Sequence, residues 1–312
     1  EINKINFDDL ISNKISINNN LDLINDLKNK NILITGAGGS IGSELCRQLC
    51  NFDISSIVLY ENNEFNLYLI NKELNGFKKD NIKIIPILGS VTELNKLNLS
   101  LFDFKIDYIF HAAAYKHVPL IEEKNNVVEA AKNNIIGTLN IIEFAIKNNC
   151  KKVLLISTDK AVRPTNNMGA SKRIAENLFQ SFAENNNTIF SIVRFGNVVN
   201  SKGSALPLFN DQIQNRMPVT VTHPEIKRYF MTIPDAAKLI LESNFLSTDI
   251  NKCKIYFLDM GKPIKILDLV KKMISLSGLS IKDKKNINGD IQIKFIGLRP
   301  GEKLNEELVI GN

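Results

Sequence analysis

The sequence predicts an α/β fold: a Rossmann-like, doubly wound parallel sheet with a smaller C-terminal substrate lobe. Three observations predict it. Short apolar runs rich in Ile, Leu and Val alternate with stretches whose apolar residues recur at helical spacing. Strands alternating with helices form right-handed βαβ units, which build a parallel sheet covered on both faces. A glycine triplet stands between the first strand and its helix, and 312 residues, 44% of them hydrophobic, suffice for a full core in two lobes.

Taken in order, residues 1–30 form a polar lead-in without clear periodicity, expected to be partly ordered against the domain. "NILIT" (31–35) is a buried strand, and "SIGSELCRQLC" a helix with Ile41, Leu45 and Leu49 on its apolar face. "SIVLY" (56–60) is the second strand, followed by a helix through about residue 75. "IKIIPIL" (82–88) is the third, and Pro86 assigns it to a sheet edge or a strand end. "YIFHAA" (108–113), "KVLLIS" (152–157) and "TIFSIVRF" (188–195) follow, separated by helical patterns at about 125–148 and 171–184. Beyond residue 200 the pattern loosens into two helical stretches, a strand "KIYFLDMG", and "LRPGEKLNEEL", expected to open a last helix. The expected division is a lead-in at 1–30, a dinucleotide-binding domain at 31–200 and a smaller lobe at 201–312, with segments free to exchange between the lobes.

The net charge of +6 is spread along the chain with no run of five basic residues, which suits a mildly basic surface and anionic metabolites. No aromatic-basic platform is visible, so nucleic acid is not an expected partner. Cys46, Cys50, Cys150 and Cys253 form no CxxC pair, and with three histidines no metal-ligand spacing appears; free thiols in a reducing compartment are expected and no metal site. No apolar run reaches ~18 residues, so this chain is not expected to span a membrane. It begins at Glu1 rather than Met, which leaves open that it is cut from something longer.

In "ILITGAGGSIGSEL", Gly36, Gly39 and Gly42 allow a tight turn, close backbone approach to a pyrophosphate and close helix–strand packing. The helix N-terminus offers free N–H groups and partial positive charge to that anion. The spacing is GxxGxxG rather than GxGxxG, and an ordinary βα turn can use the same residues. Here strand, glycines and helix coincide, and Glu61 ends the second strand. A carboxylate there accepts hydrogen bonds from a ribose 2′-OH and repels a 2′-phosphate, and no arginine follows in "YENNEFN". NAD is therefore expected rather than NADP.

The stretch "STDKAVRPTNNMGASK" (157–172) places Asp159 beside Lys160, with Lys172 downstream and Met168 one helical turn before it. Together with "HAAAYKHVP", "NIIGT", "VRFGNV", "RYFMTIPDAA" and "LRPGEKLNEEL", running in order from about residue 31 to 308, these motifs resemble a known family. It is the UDP-N-acetylglucosamine 4,6-dehydratases of the extended short-chain dehydrogenase/reductase superfamily. Met168 stands where most of that superfamily carries tyrosine, a replacement typical of the long, membrane-anchored, C5-retaining branch. The lead-in "FDDLI" resembles the segment preceding the catalytic domain in that branch. Its members carry transmembrane helices upstream and supply dideoxy amino sugars such as diacetylbacillosamine. The resemblance implies the cytoplasmic half of such a protein, at the bacterial inner membrane, touching the membrane only through an N-terminal region outside this sequence. It also implies homo-oligomeric assembly.

The chemistry so implied is oxidation at C4 of the hexose, loss of water across C5 and C6, and hydride return to C6. Asp159 would be the acid for C6 and Lys160 the base for C5, so Asp159 must hold a proton and Lys160 must be a free amine. Desolvation, a positive nicotinamide and Lys172 are expected to push Lys160 toward that form. Lys172 would hold the nicotinamide ribose. Thr158 would hold the C4 hydroxyl and relay its proton to Asp159 or water, because Met168 moves no proton. Cofactor contacts carried over by resemblance are Gly36, Gly39, Ser40, Ile41, Gly42, Glu61, Ser90, Val91, Ala112, Ala113, Ala114 and Lys172. Lys116 and His117 would approach the sugar, and Asn197, Arg228, Arg299 and Glu302 the UDP, with guanidinium forks on the diphosphate and Glu302 on the uridine ribose. His111 is expected to be structural. The alternatives are a C5-inverting dehydratase, a UDP-N-acetylglucosamine 4-epimerase and a catalytically silent NAD-binding sensor or scaffold.

Overall fold

Seven apolar runs become the seven parallel strands of one sheet. In spatial order they are Lys254–Phe257, Ile189–Arg194, Lys152–Ile156, Tyr108–His111, Asn31–Thr35, Ser56–Glu61 and Lys83–Leu88. Every pairing among them is parallel. The computed structural model describes residues 21–184, 186–201 and 203–309, so the "FDDLI" segment lies outside the described residues. The five inner strands are buried almost throughout, which is why they read as unbroken apolar runs. Lys83–Leu88 is half exposed at the edge, where the missing N–H of Pro86 is tolerated.

Successive residues of a strand point to opposite faces, so each face has its own core. Ile32, Ile34, Leu59 and Leu154 pack with Leu45 and Leu49 on one side. Leu33, Val58, Val153 and Leu155 pack with Ile141 and Phe179 on the other. A third cluster joins Phe209, Ile213, Val219, Val221, Met273 and Ile291 in the C-terminal part of the chain. The chain runs outward in both directions from the first and fourth strands, Asn31–Thr35 and Tyr108–His111, which lie side by side. Loops leaving these two strands diverge, and the crevice between them at the carboxyl ends is where such sheets bind ligands.

Three elements differ from the sequence expectation. Leu21–Leu27 in the lead-in is a helix, with Leu23 and Leu27 buried and Asp26 accepting from the Tyr108 hydroxyl at 2.8 Å. The helical pattern at 125–148 is interrupted: Val127–Ala131 and Gly137–Lys147 flank a π-helical turn at Lys132–Ile136. Lys254–Phe257, the strand expected in "KIYFLDMG", extends the large sheet beside Ile189–Arg194, and segment exchange between the lobes was left open. "LRPGEKLNEEL" forms no helix through residue 309. Pro300 and Gly301, the latter at φ +72, stop helix propagation. The segment's polar groups bind elsewhere instead: Thr165 Oγ1 donates to Gly301 O at 2.8 Å and Lys303 Nζ to Val162 O at 2.9 Å. On the helix Ser40–Leu49 the buried face is Gly42, Leu45, Cys46 and Leu49, while Ile41 is only half-buried.

One buried ion pair ties the catalytic side of the sheet together. Glu176, on the helix Asn167–Ala183, accepts from Ser157 Oγ at 2.6 Å and from Arg194 Nε at 2.7 Å, joining the ends of the fifth and sixth strands. Both partners are almost inaccessible, so Glu176→Gln strands the Arg194 charge in the core. The variant is expected to lose ~3–5 kcal/mol of stability, read as a lower urea midpoint at unchanged slope.

Candidate active site

A cavity of about 370 Å³ opens at the carboxyl ends of the first, fourth, fifth and sixth strands. Its floor is the glycine turn. Gly36 sits at φ +66, and a Cβ there would press the Ala112–Ala113 backbone at 2.8 Å. A Cβ on Gly42 would collide with the Gly36 carbonyl oxygen. Turn and alanine loop therefore pass at backbone contact, which explains the small residues Ala112 to Ala114. Gly39 precedes the helix Ser40–Leu49, and Gly39, Ser40 and Ile41 all line the cavity. A second recess of about 150 Å³, walled by Glu61, Val91 and Ala113, shares Gly36 and Gly39 with the first. Ser90 lines neither recess; its carbonyl accepts from the Tyr60 hydroxyl at 3.2 Å. The Glu61 carboxylate accepts from the N–H groups of Gly38 (2.9 Å), Asn62 (3.0 Å) and Asn63 (2.9 Å), so it is locked at the end of its strand. Gly38 was not singled out in the sequence because it falls outside the every-third-residue pattern.

The opposite wall is the stretch at 157–172 that the sequence singled out. The fifth strand ends at Ile156, and Thr158 caps a single 3₁₀ turn, Asp159–Ala161, by accepting from Lys160 N at 3.3 Å. Asp159 is fully buried. Its Oδ1 accepts from Thr158 Oγ1 and from Lys160 Nζ, both at 2.9 Å, and its Oδ2 has no hydrogen-bond partner. A Cβ on Gly196, which lines the cavity, would stand 3.0 Å from that open oxygen. Thr158, Lys160, Met168 and Lys172 all line the cavity. Met168 and Lys172 are four residues apart on one helix and thus share a face.

The electrostatics correct one expectation. Burial pulls the Lys160 amine down, but Asp159 and Glu306 outweigh it, so Lys160 holds its proton more tightly than a free lysine. Lys172 behaves as expected of a buried amine: desolvation lowers it to about 8 against the opposing charge of Glu176. Lys116 and His117 line the same cavity, each pushed down by burial first, and then by Lys160 and Lys116 respectively. His111 stands behind the wall, bonded to Thr35 Oγ1 at 2.7 Å and Thr138 Oγ1 at 3.1 Å.

The residues assigned to UDP are not gathered as a set. Asn197 lines the cavity; Arg228, Arg299 and Glu302 do not. Arg228 is buried and donates to Lys227 O (2.8 Å), Leu304 O (3.2 Å) and Glu302 Oε1 (3.2 Å), so the presumed diphosphate ligand and ribose ligand neutralise each other. Arg299 is exposed. Two residues escaped sequence reading. Asn134, in the π turn, donates to Tyr115 O (2.9 Å) and Ser171 Oγ (3.0 Å), holding the alanine loop against the Lys172 helix. Glu306 is buried beside Lys160, whereas the adjacent Glu307 makes an outer pair with Arg163. Among the described residues no His/Cys/Asp/Glu group could hold a metal ion, and no helix is long and apolar enough to cross a membrane.

A family profile described as "Polysaccharide biosynthesis protein" matches residues 32–312. The chain belongs to this family. Among its relatives, the capsular polysaccharide biosynthesis protein CapD of Staphylococcus aureus is 45% identical over 98% of this chain and 52% of its own length. The chain thus spans about half the length of such relatives. A UDP-glucose 4-epimerase of Rickettsia bellii is 35% identical, and a UDP-N-acetylglucosamine 4,6-dehydratase (inverting) of Campylobacter jejuni 32%, each over 90% of this chain and 77% of the relative. Among solved structures, Pen from Bacillus thuringiensis matches with a TM-score of 0.79 at 35% identity, over 91% of this chain and 83% of that one. The relatives whose names state an activity are thus a nucleotide-sugar epimerase and a nucleotide-sugar dehydratase, in keeping with the resemblance carried by the motifs.

Burial, reinforced by Lys172, holds His111 neutral, down to about 3 against an ordinary 6.5. The unfolded chain binds a proton there that the folded chain refuses, so this contribution is whole above pH 6.5 and is lost as the pH falls toward 3. Melting temperature is expected to drop across that window, and His111→Gln to flatten the drop while lowering stability at pH 7.

Proposed function

We propose that this chain is the catalytic unit of an NAD-dependent 4,6-dehydratase that converts UDP-N-acetylglucosamine to the 4-keto-6-deoxy sugar with C5 configuration retained. The observation that carries the reading is the Asp159–Lys160 pair, joined at 2.9 Å at the end of the fifth strand, with its amine lining the cavity that the glycine turn floors. The turn suits a dinucleotide because Cβ atoms at Gly36 and Gly42 would fill it, and because a helix N-terminus follows. Gly36, Gly39, Ser40, Ile41, Gly42 and Ala112 to Ala114 would hold NAD, with Val91 and Glu61 at the adenosine end and Lys172 at the nicotinamide ribose. NAD bound there supplies a place for the hydride taken from C4 and later returned to C6.

The chain's own residues manage the protons. Thr158 lines the cavity and its Oγ1 donates to Asp159 Oδ1, so a proton leaving the C4 hydroxyl would pass through Thr158 to the carboxylate, which itself does not line the cavity. Asp159 then holds the proton that the C6 hydroxyl needs to depart as water. One carboxyl therefore serves as C4 acceptor and C6 acid, and Met168 need not move a proton. Lys160, as the free amine, draws the C5 proton and gives it back on one face. Lys116, His117 and Asn197 border the space left for the sugar. Because Asp159 and Glu306 hold the Lys160 proton, kcat is expected to climb with pH through the range above 7, the ascending limb of a base.

A 4-epimerase is the second reading, favoured by the Rickettsia bellii relative. Met168 counts against it, since position 168 in the cavity wall offers no phenol to take the C4 proton, although Tyr115 also lines the cavity, and epimerisation leaves the C5/C6 acid–base pair without work. Assembly as a homo-oligomer, attachment of a longer parent protein to the cytoplasmic face of the inner membrane, and an early step in bacillosamine-type sugar synthesis belong to the same proposal.

The test is incubation with UDP-N-acetylglucosamine without added cofactor, followed by mass spectrometry. The expected product is lighter by one water, and Asp159→Asn and Lys160→Ala each slow its formation about 10²–10⁴-fold. An isomer of unchanged mass points to the epimerase, and an untouched substrate despite bound NAD to a silent binding protein. Gly36→Ala is expected to abolish NAD retention on gel filtration, because the new Cβ meets the Ala113 backbone.

A further inference from the structure

Glu306 is a buried acid that takes no proton in the reaction above. Its side chain is 4% exposed; Oε1 lies 3.7 Å from Lys160 Nζ and 3.9 Å from Arg228 Nη2, and Oε2 has no hydrogen-bond partner. Arg228 is shared with Glu302 at 3.2 Å, so its charge is already divided. The extended C-terminal segment is clamped in place: Lys227 N donates to Leu304 O at 3.0 Å, and Lys303 Nζ to Val162 O at 2.9 Å. Burying a carboxylate with an open oxygen costs stability, and such groups cluster where their charge serves a site.

The charged surroundings of Lys160 come from four elements. Asp159 approaches from its own turn at 2.9 Å, Glu306 from the C-terminal segment, Arg228 from the strand Lys227–Arg228, and Lys116 from the alanine loop. Asn197 adds a neutral acceptor at 3.4 Å. Glu306 in turn faces Lys160, Asp159, Arg228 and Lys303.

Resting on the dehydratase reading, we propose that Glu306 is a positioning residue for the base of that reaction: a second counter-charge, remote in sequence, that strengthens Lys160 as a base and stabilises the ammonium formed when the C5 proton arrives. Asp159 cannot fill this role alone, because it is neutral once it has accepted the C4 proton. At that moment Glu306 is the remaining carboxylate beside Lys160. The sign follows from charge: an anion near an amine favours the ammonium, so removing it makes Lys160 a weaker base that is free at lower pH.

The test compares wild type with Glu306→Gln and Glu306→Asp. The first readout is acylation of Lys160 by acetic anhydride over a pH series, followed by mass spectrometry of its peptide, which needs no catalysis. Glu306→Gln is expected to label Lys160 about threefold or more faster near pH 8, and Glu306→Asp to shift the same way by less. Lys152, buried at the opposite end of the sheet, stays protected while the variant is folded. The second readout is the pH profile of dehydration: the ascending limb of kcat moves to lower pH, its plateau falls about tenfold and KM is unchanged. Should Glu306→Gln expose Lys152, the aspartate variant decides. Unmoved labelling in the folded variants, or a lower plateau with an unmoved limb, overturns the proposal. A chain that dehydrates nothing but shows the labelling shift retires the dehydratase reading and leaves the Glu306–Lys160 coupling standing.

Discussion

The arrangement depends on a carboxylate placed out of reach of water. An isolated buried charge of this kind is costly, by several kcal/mol even after relaxation. Asp159 is fully buried, yet only one of its oxygens is compensated, by Thr158 and Lys160. The second oxygen is buried without a protein partner, packed beneath Gly196; Asp159 itself does not line the cavity, whereas Thr158, Lys160 and Gly196 do. A site built only for stability would close that oxygen with a donor. The surrounding order follows from this: the 3₁₀ turn fixes the carboxyl, Glu176 and Arg194 fix the strand ends beneath it, and the C-terminal segment closes the far side.

Much of this was legible in the sequence because the signals are local. Unbroken apolar runs mark strands buried on both faces, Pro86 marks an edge, and a strand–glycine–helix junction marks the phosphate turn. The pairing of Asp159 with Lys160 needs only adjacency at a strand end. What failed was non-local. "GEKLNEEL" has helical composition, but its polar groups are recruited by Val162, Thr165 and Arg228, whose distance in sequence hides the competition. For the same reason Glu306 could not be told from Glu307: one falls on the buried side of an extended segment and the other faces out. The direction of the Lys160 titration failed too, because desolvation was foreseen while the upward pull of Asp159, and after it of Glu306, was not.

Arg228 and Glu302 show a limit of carrying residues over by motif. Both are near the site, yet they bind each other across 3.2 Å instead of lining the cavity. A diphosphate competing for the guanidinium must displace that pair, which makes its exchange a cost charged to substrate binding. Met168 carries more weight, since a thioether in the cavity wall moves no proton where the resembling superfamily pattern places a tyrosine. In the proposed dehydration the Thr158–Asp159 contact would offer the replacement route and would link oxidation at C4 to departure of the C6 hydroxyl through a single proton.

The account turns on whether an amine and a carboxyl from adjacent positions act on C5 and C6 of a pyranose. The most direct measurement is to run the reaction in heavy water and read the sugar by NMR. Deuterium at C5 of a 6-deoxy-4-keto product, with the C5 configuration unchanged and the label lost in Lys160→Ala, is the predicted result. A product inverted at C4 with protium retained at C5 would contradict it.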